Sequence, residues 1–399
     1  MSRKLENYSR KVETNAAASF PTALKQMGRT AITGALYHGR LLAAARRLAG
    51  HFSLQKMPRL GLSYLRRDSQ QKFGILCYHR VGTQGLPLYS RLRPETFEAQ
   101  MCYLKSRYRL VSLGQLCREL RDARPVPPTL AITFDDGYRD LYEYAFPVLQ
   151  KYGIPATIYL IGRCMQTGEA PWYDRIYLLL HSMTNDTLEV DLESPRRFSL
   201  TSTEARFAVA WELIGFLRSI SEDRRQVWCE EMERRFPIAK GDISGCMLNW
   251  DQVREMRRGG LDFGAHTMTH PAISRLEPTD FPEELTAPKR LLEQGLQEPI
   301  LDFAYPFGKR SDLSRAAQKF IADCGYRSAV TTMEGYNSSG ANPFELRRMQ
   351  VGDGRSLAKF SFDICRMFLR SREDSEPVDI SLEQWHGNPL DRMPPREVV

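Results

Sequence analysis

Two acidic side chains stand together at Asp135 and Asp136, and two histidines, His266 and His270, stand four positions apart roughly 130 residues later. One carboxylate with two imidazoles makes a ligand set for a divalent ion, and the carboxylate left over can take a proton from a water polarised there. That is hydrolase chemistry. Each half alone is weak, because Asp-Asp-Gly is more often a solvated turn or a helix start. The chain has only 7 histidines in 399 residues, so two at ligand spacing stand out.

The elements around these residues strengthen the case. The run Leu130-Ala131-Ile132-Thr133-Phe134 leads into the acidic pair, and Leu261-Asp262-Phe263-Gly264-Ala265 leads into the histidines. Both clusters therefore fall at the carboxyl ends of strands, where α/β folds gather their active residues in one crevice. Further strand-like stretches at Phe73 to Tyr78 and Ala156 to Ile161 alternate with helix-like ones at Pro94 to Ser106 and Asp140 to Tyr152. This order argues βα units and a parallel sheet. Between Gly168 and Met247 the period changes, and Phe207, Trp211, Leu213, Ile214, Leu217 and Ile220 fall near helical spacing. A helical insertion with its own apolar packing is expected there.

Taken together, Thr133-Phe134-Asp135-Asp136-Gly137, His266-Thr267-Met268-Thr269-His270 and Phe303-Ala304-Tyr305-Pro306-Phe307-Gly308 resemble the three ordered motifs of the polysaccharide deacetylases, the carbohydrate esterases that share the NodB homology domain. The likeness runs from Phe73 to Val351 around the insertion. It implies an α/β fold, a distorted and incomplete (β/α) barrel of the NodB type. It further implies that Asp136, His266 and His270 hold a divalent metal, Zn2+ foremost, with Asp135 as general base. The backbone amide of Tyr305 would donate to the developing oxyanion. The substrate implied is an N-acetylated sugar in a polymer or a lipid-linked precursor, handled during exopolysaccharide assembly.

Departures from the family pattern narrow the expectation. Motif three lacks the arginine that orients the base, and Arg348 in Leu346-Arg347-Arg348-Met349 resembles a Leu-Pro-Arg stretch of one exopolysaccharide-associated branch that can supply the cation. No Leu-x-His follows His270 to furnish a general acid. Leu179-Leu180-His181 is rejected because it precedes the metal histidines and reads as helix. His79, in Tyr78-His79-Arg80-Val81, resembles instead the Tyr-His-x-Val opening of a circularly permuted branch that includes the poly-N-acetylglucosamine deacetylases, where the acid histidine comes first in the chain. An imidazolium there would protonate the departing amine. Aromatic faces suit pyranose rings, so Trp172 and Tyr173 are candidate substrate contacts, joined by Pro306, Phe307 and Arg348.

The remaining chain divides into an N-terminal helical extension over 1–70, a catalytic domain over 71–360 with an insertion at about 169–247, and a tail over 361–399. The extension mixes Leu41, Leu42 and Leu48 with Arg40, Arg46 and Arg47; it either docks on the catalytic domain, the default, or lies as a peripheral helix on an anionic membrane surface. Its start has no basic-then-apolar export design and no stretch reaches the ~20 apolar residues of a membrane span, so a cytoplasmic protein, peripheral at most to the inner membrane, is expected. Eight scattered cysteines without a Cys-x-x-Cys pair are expected as free thiols. A net charge of +8 does not choose between partners, and no motif favours nucleic acid. Oligomeric state is left open. Two rival readings stand beside N-deacetylation: O-deacetylation of a sugar, and a carbohydrate-binding protein of the same fold that has lost turnover.

Overall fold

The computed structural model describes residues 72–83, 91–122, 128–238, 244–352 and 356–369, all within one compact unit, Leu65–Val399. The expected N-terminal extension and the tail beyond residue 369 lie outside the described residues. Strands β1 (Phe73–Tyr78) and β3 (Thr129–Phe134) are buried along their whole length, the mark of parallel strands covered on both faces. They pair in parallel through six residues, from Phe73 opposite Thr129 to Tyr78 opposite Phe134. The short β2 (Arg109–Leu110) also joins β3.

The chain then adds β4 (Ala156–Leu160), β7 (Asp262–Ala265), β8 (Asp302–Ala304) and β9 (Ser328–Val330), and β10 (Met349–Gln350) lies on the other side of β1. Every pairing in this sheet is parallel. The sheet curls into an incomplete barrel with helices around it. One segment touches both of its edges: Leu346 bridges Val330 beside β9, and three residues later Met349 pairs with Leu76 of β1. Arg348 is carried between those two attachments.

Helices α1 (Pro94–Arg107) and α2 (Leu113–Asp122) precede β3; a π-helical turn at Leu141–Ala145 runs into α3 (Phe146–Tyr152). Helix α3 closes on Gly153 in the left-handed region, as a helix stop requires. After β4 come α4 (Gly162–Thr167) and α5 (Trp172–Ser182).

The 172–235 segment is not purely helical, as the sequence reading had it. An antiparallel hairpin, β5 (Thr187–Asp191) with β6 (Pro195–Ser199), precedes α6 (Thr203–Ser219) and α7 (Glu222–Arg235). Leu188 and Val190 alternate with exposed neighbours and enclose a separate apolar cluster with Ile176, Leu180, Leu213 and Leu217. Its aromatic stripe is therefore packing. Beyond it lie α8 (Trp250–Arg258), α9 (Ala287–Leu296), α10 (Arg315–Asp323) and α11 (Leu357–Leu369).

Helix α11 corrects the expected boundary at residue 360. Phe360, Ile364, Met367 and Phe368 are buried, Phe368 stacks on Tyr108, and Lys72 donates to the Phe368 carbonyl at 3.0 Å. The packed unit continues to the end of this helix. Among the described residues no helix is long and apolar enough to cross a membrane.

Candidate active site

Asp135 extends the β3 ladder by one residue, its amide donating to the Tyr78 carbonyl of β1 at 3.0 Å. The chain then turns sharply. Asp136 has φ 74° and Gly137 φ 82°, and a Cβ on Gly137 would meet the Leu160 side chain at 2.5 Å, so the third motif position has to be glycine. The turn aims the Asp136 carboxylate across the end of the sheet toward β7. There the His266 amide donates to the Leu160 carbonyl, fixing the first histidine just past the strand end.

Thr267 and His270 both have positive φ, at 61° and 64°, unfavourable for a β-branched residue and uncommon for any non-glycine. The strained loop is tied down at several points. Thr267 Oγ1 accepts from the His270 amide at 2.9 Å, and buried Glu284 accepts from the amides of Met268 and Thr269, both at 3.0 Å, and from Thr269 Oγ1 at 2.7 Å. Burial raises the Glu284 carboxyl to about 7, against the pull of these donors.

The result is a buried trio. His266 Nε2 and His270 Nε2 lie 3.5 and 3.6 Å from Asp136 Oδ1. Ligands around tetrahedral zinc, each ~2.0–2.1 Å from the ion, stand roughly 3.3 Å apart, close to both distances to Asp136, and all three donor atoms lie within 4.8 Å of one another. The His266 Nδ1 is 2.8 Å from the Ala304 carbonyl at the end of β8. A carbonyl only accepts, so Nδ1 carries the proton and Nε2 turns its lone pair inward, as a ligand must. Burial pushes both imidazoles below their ordinary value. Burial, then Asp135 and Asp174, pushes Asp136 well above its own. Buried neutral imidazoles facing a carboxyl whose charge is opposed are the donor chemistry of a divalent-cation site, and the residues fit one.

Asp135 is handled differently. Arg348, with a side chain 0% exposed, donates Nη1 to Oδ1 and Nη2 to Oδ2, both at 2.7 Å. Its Nε donates to the Thr331 carbonyl at 2.7 Å, and Nη1 also reaches Thr133 Oγ1 at 3.1 Å. Burial alone would raise the Asp135 carboxyl, but the guanidinium outweighs it and holds the group well below the carboxylate range. Arg348 thus has no surface for a sugar, which corrects its place among the substrate contacts; it sits behind the base and fixes both oxygens.

His79, just past β1, places Nε2 4.0 Å from Asp135 Oδ2 with a side chain 18% exposed. Burial lowers its imidazole to about 4, against the raising effect of Asp135.

Tyr305 requires correction as the oxyanion donor. Its amide donates to the Val330 carbonyl of β9 at 3.1 Å and its hydroxyl to the Phe344 carbonyl at 3.0 Å, so both donors are already engaged. Two residues on, Phe307 has φ 57°, its ring is 4.9 Å from the His270 ring, and its amide has no hydrogen-bond partner among the described residues. Phe307 is the motif-three residue with a donor to offer.

The other expected sugar contacts also change. Tyr173 is fully buried with its ring 4.8 Å from that of His270, and Pro306 is buried too, so neither offers a face. Trp172 is half-buried, donates from Nε1 to the His270 carbonyl at 3.3 Å and lies under the Arg225 guanidinium at 4.6 Å.

Two arginines of the 172–235 segment therefore grip the site. Arg225 of α7 donates to Thr269 Oγ1 at 3.1 Å and pairs with Glu222; Arg218 of α6 covers the Phe307 ring at 4.4 Å and pairs with Asp312. The sequence reading passed over both, and over Glu284 and Cys77. Little in the local sequence marks them: Arg225 and Glu284 sit beside other charges, Arg218 lies near a helix end, and Cys77 is a thiol within an apolar strand.

A family model for polysaccharide deacetylase matches residues 122–329, more than half of the chain. The chain belongs to the polysaccharide deacetylase family and is a carbohydrate deacetylase. The protein YxkH of Bacillus subtilis (strain 168) is 24% identical over 301 residues, covering 75% of this chain and 78% of YxkH. The poly-beta-1,6-N-acetyl-D-glucosamine N-deacetylase of Escherichia coli (strain K12) is 31% identical over 98 residues, 24% of this chain and 15% of that protein. Among solved structures, the Streptococcus pyogenes deacetylase PplD in complex with acetate has a TM-score of 0.51 at 20% identity, over 75% of this chain and 99% of that one. That likeness is one of fold.

Proposed function

We propose that the protein is a metal-dependent N-deacetylase of N-acetylated sugars, in a polysaccharide or its lipid-linked precursor, of the circularly permuted branch tied to exopolysaccharide synthesis. The observation that carries the reading is the pairing of two unlike carboxylates: Asp136 grouped with His266 and His270, and Asp135 locked on Arg348 beside them. A binding protein of this fold would need only the first.

Asp136, His266 and His270 would hold a divalent ion, which when bound would supply Lewis acidity for hydrolysis of the acetyl group. Asp135 takes the water's proton. Its pairing with Arg348 makes it a weak base but keeps it ionised and oriented; Oδ2 also accepts from the Cys77 thiol, and Oδ1 retains the lone pair for the incoming hydrogen. The Phe307 amide donates to the oxyanion of the tetrahedral intermediate, a contribution of about 3 kcal/mol for a preorganised donor. His79 protonates the departing amine. Arg218 and Arg225 hold the Phe307 ring and the His270 loop in register around the acyl group.

Acetate release from N-acetylated oligosaccharides tests this reading. Release that stops with a chelator and returns with zinc supports it; release indifferent to chelator refutes metal dependence. His79→Ala is expected to retain its ion and lose on the order of 10²–10⁴ in kcat, the range for a removed acid or base. Unchanged turnover would remove His79 from the mechanism.

One observation favours a second reading. The imidazole of His79 is held near 4, and an ester makes less demand on the acid than an amide does. Rates on matched O-acetyl and N-acetyl sugars decide between them.

A further inference from the structure

A second trio of ligand-bearing side chains lies against the first. Cys77 is the penultimate residue of β1 and His79 follows its end, while Asp135 continues the neighbouring strand, so the parallel register gathers all three at one corner of the crevice. Cys77 Sγ is 3.5 Å and His79 Nε2 4.0 Å from the same atom, Asp135 Oδ2, and all three ligand atoms lie within 4.8 Å of one another. For zinc at ~2.3 Å from sulfur and ~2.0–2.2 Å from nitrogen or oxygen, ligand separations are roughly 3.3–3.6 Å. Both pairs that include Asp135 are near those values already. A swing of about 1 Å by the His79 ring, the most exposed of the three, closes the rest.

The donor set selects among cations. Thiolate with imidazole favours soft ions, zinc and above all cadmium, over magnesium or calcium. The Arg348 guanidinium opposes any cation at this corner, so affinity falls below that of the Asp136 site and occupancy needs ion in excess. Asp135 Oδ2 can serve an ion and Arg348 together because a carboxylate oxygen has two lone pairs.

We propose that Cys77, His79 and Asp135 form a second, inhibitory site for soft divalent cations. Binding transfers the Cys77 S–H proton to solvent and forms a sulfur–metal bond; no electrons are exchanged. The ion then draws charge from the carboxylate with which Asp135 takes the water's proton and occupies the nitrogen with which His79 delivers one. The inhibitory consequence rests on the deacetylase reading, whereas the site itself does not.

The test uses the full chain carrying one equivalent of zinc, titrated with cadmium. Three quantities are read: ions bound after dialysis, the ultraviolet sulfur-to-cadmium charge-transfer absorption, and acetate release relative to each zinc-loaded protein's own cadmium-free rate. The wild type is expected to take up one ion more than Cys77→Ser, to show a band the variant lacks, and to lose activity as the band grows. Removing even a group that only orients a metal ligand costs about 10–100-fold, so half-inhibition of Cys77→Ser should need at least about tenfold more cadmium. Magnesium should give neither band nor inhibition. Cys77→Ala repeats the comparison with an apolar side chain, and thermal melts confirm that each variant is folded. An equal ion count and band in wild type and both variants overturns the site. Loss of the extra ion without any change in cadmium sensitivity overturns the inhibition, and a wild type that releases no acetate under any condition defeats the deacetylase reading while the ion count still decides the site.

Discussion

Asp136→Asn is expected to lose its ion and its turnover together while the fold is kept. Asn has nearly the shape of Asp, but it offers a neutral oxygen where His266 and His270 converge at 3.5 and 3.6 Å on an anionic one. The substitution also removes a carboxyl whose charge is opposed by burial, Asp135 and Asp174. The ion-free variant should therefore be at least as stable as the ion-free wild type. Zinc at about a hundred times its Kd stabilises a folded protein that binds it by ~2.7 kcal/mol, and this gain should be present in the wild type and missing from the variant. Paired melts with and without zinc, together with metal analysis, check the expectation. A variant that stays fully loaded would remove Asp136 from the ligand set.

The second large effect belongs to the base and its partner, which should separate cleanly. Asp135→Asn keeps shape and removes charge, so kcat is expected to fall by on the order of 10²–10⁴ with metal content unchanged. Arg348→Met should be worse for the fold. It leaves a buried carboxylate without its partner, a loss of about 3–5 kcal/mol when one member of a buried pair is deleted. The double variant, Asp135→Asn with Arg348→Met, should recover much of that stability because no charge is left stranded, yet remain inactive. Urea unfolding of the three proteins measures the coupling; additive losses would mean that the two 2.7 Å contacts carry little.

The parts of this site that were legible in the chain are those fixed by short-range geometry. An apolar strand, two acids and a glycine specify a turn, because positive φ at Gly137 together with the Leu160 side chain packed against it favours glycine. Two histidines four apart on a strand-end loop are a local pattern, although Glu284, Ala304 and Trp172 from elsewhere in the chain hold them in place. What stayed hidden depends on register and on long-range partners. The likeness of Leu346-Arg347-Arg348-Met349 to a family stretch offered Arg348 as a cation for the acid pair, but its two-pronged grip on Asp135, 213 positions away, depends on register. The proposed oxyanion donor is Phe307 in place of Tyr305 because the Tyr305 amide is consumed by its bond to Val330, a distinction that only strand pairing decides. The β5–β6 hairpin was present as an alternation, Leu188 and Val190 between Thr187, Glu189 and Asp191, overlooked beside the longer helical stripes around it. Arg218 and Arg225 looked like solvated charges on helices, and became site residues only when those helices folded back over Phe307 and Thr269.

The segment that spans both edges of the sheet divides the site's residues by their position along the chain. Asp135, Asp136, His266 and His270 all precede residue 346, whereas Arg348 comes with the segment itself. Truncation before residue 346 therefore removes the guanidinium that fixes Asp135 while leaving all three members of the Asp136 group in the polypeptide.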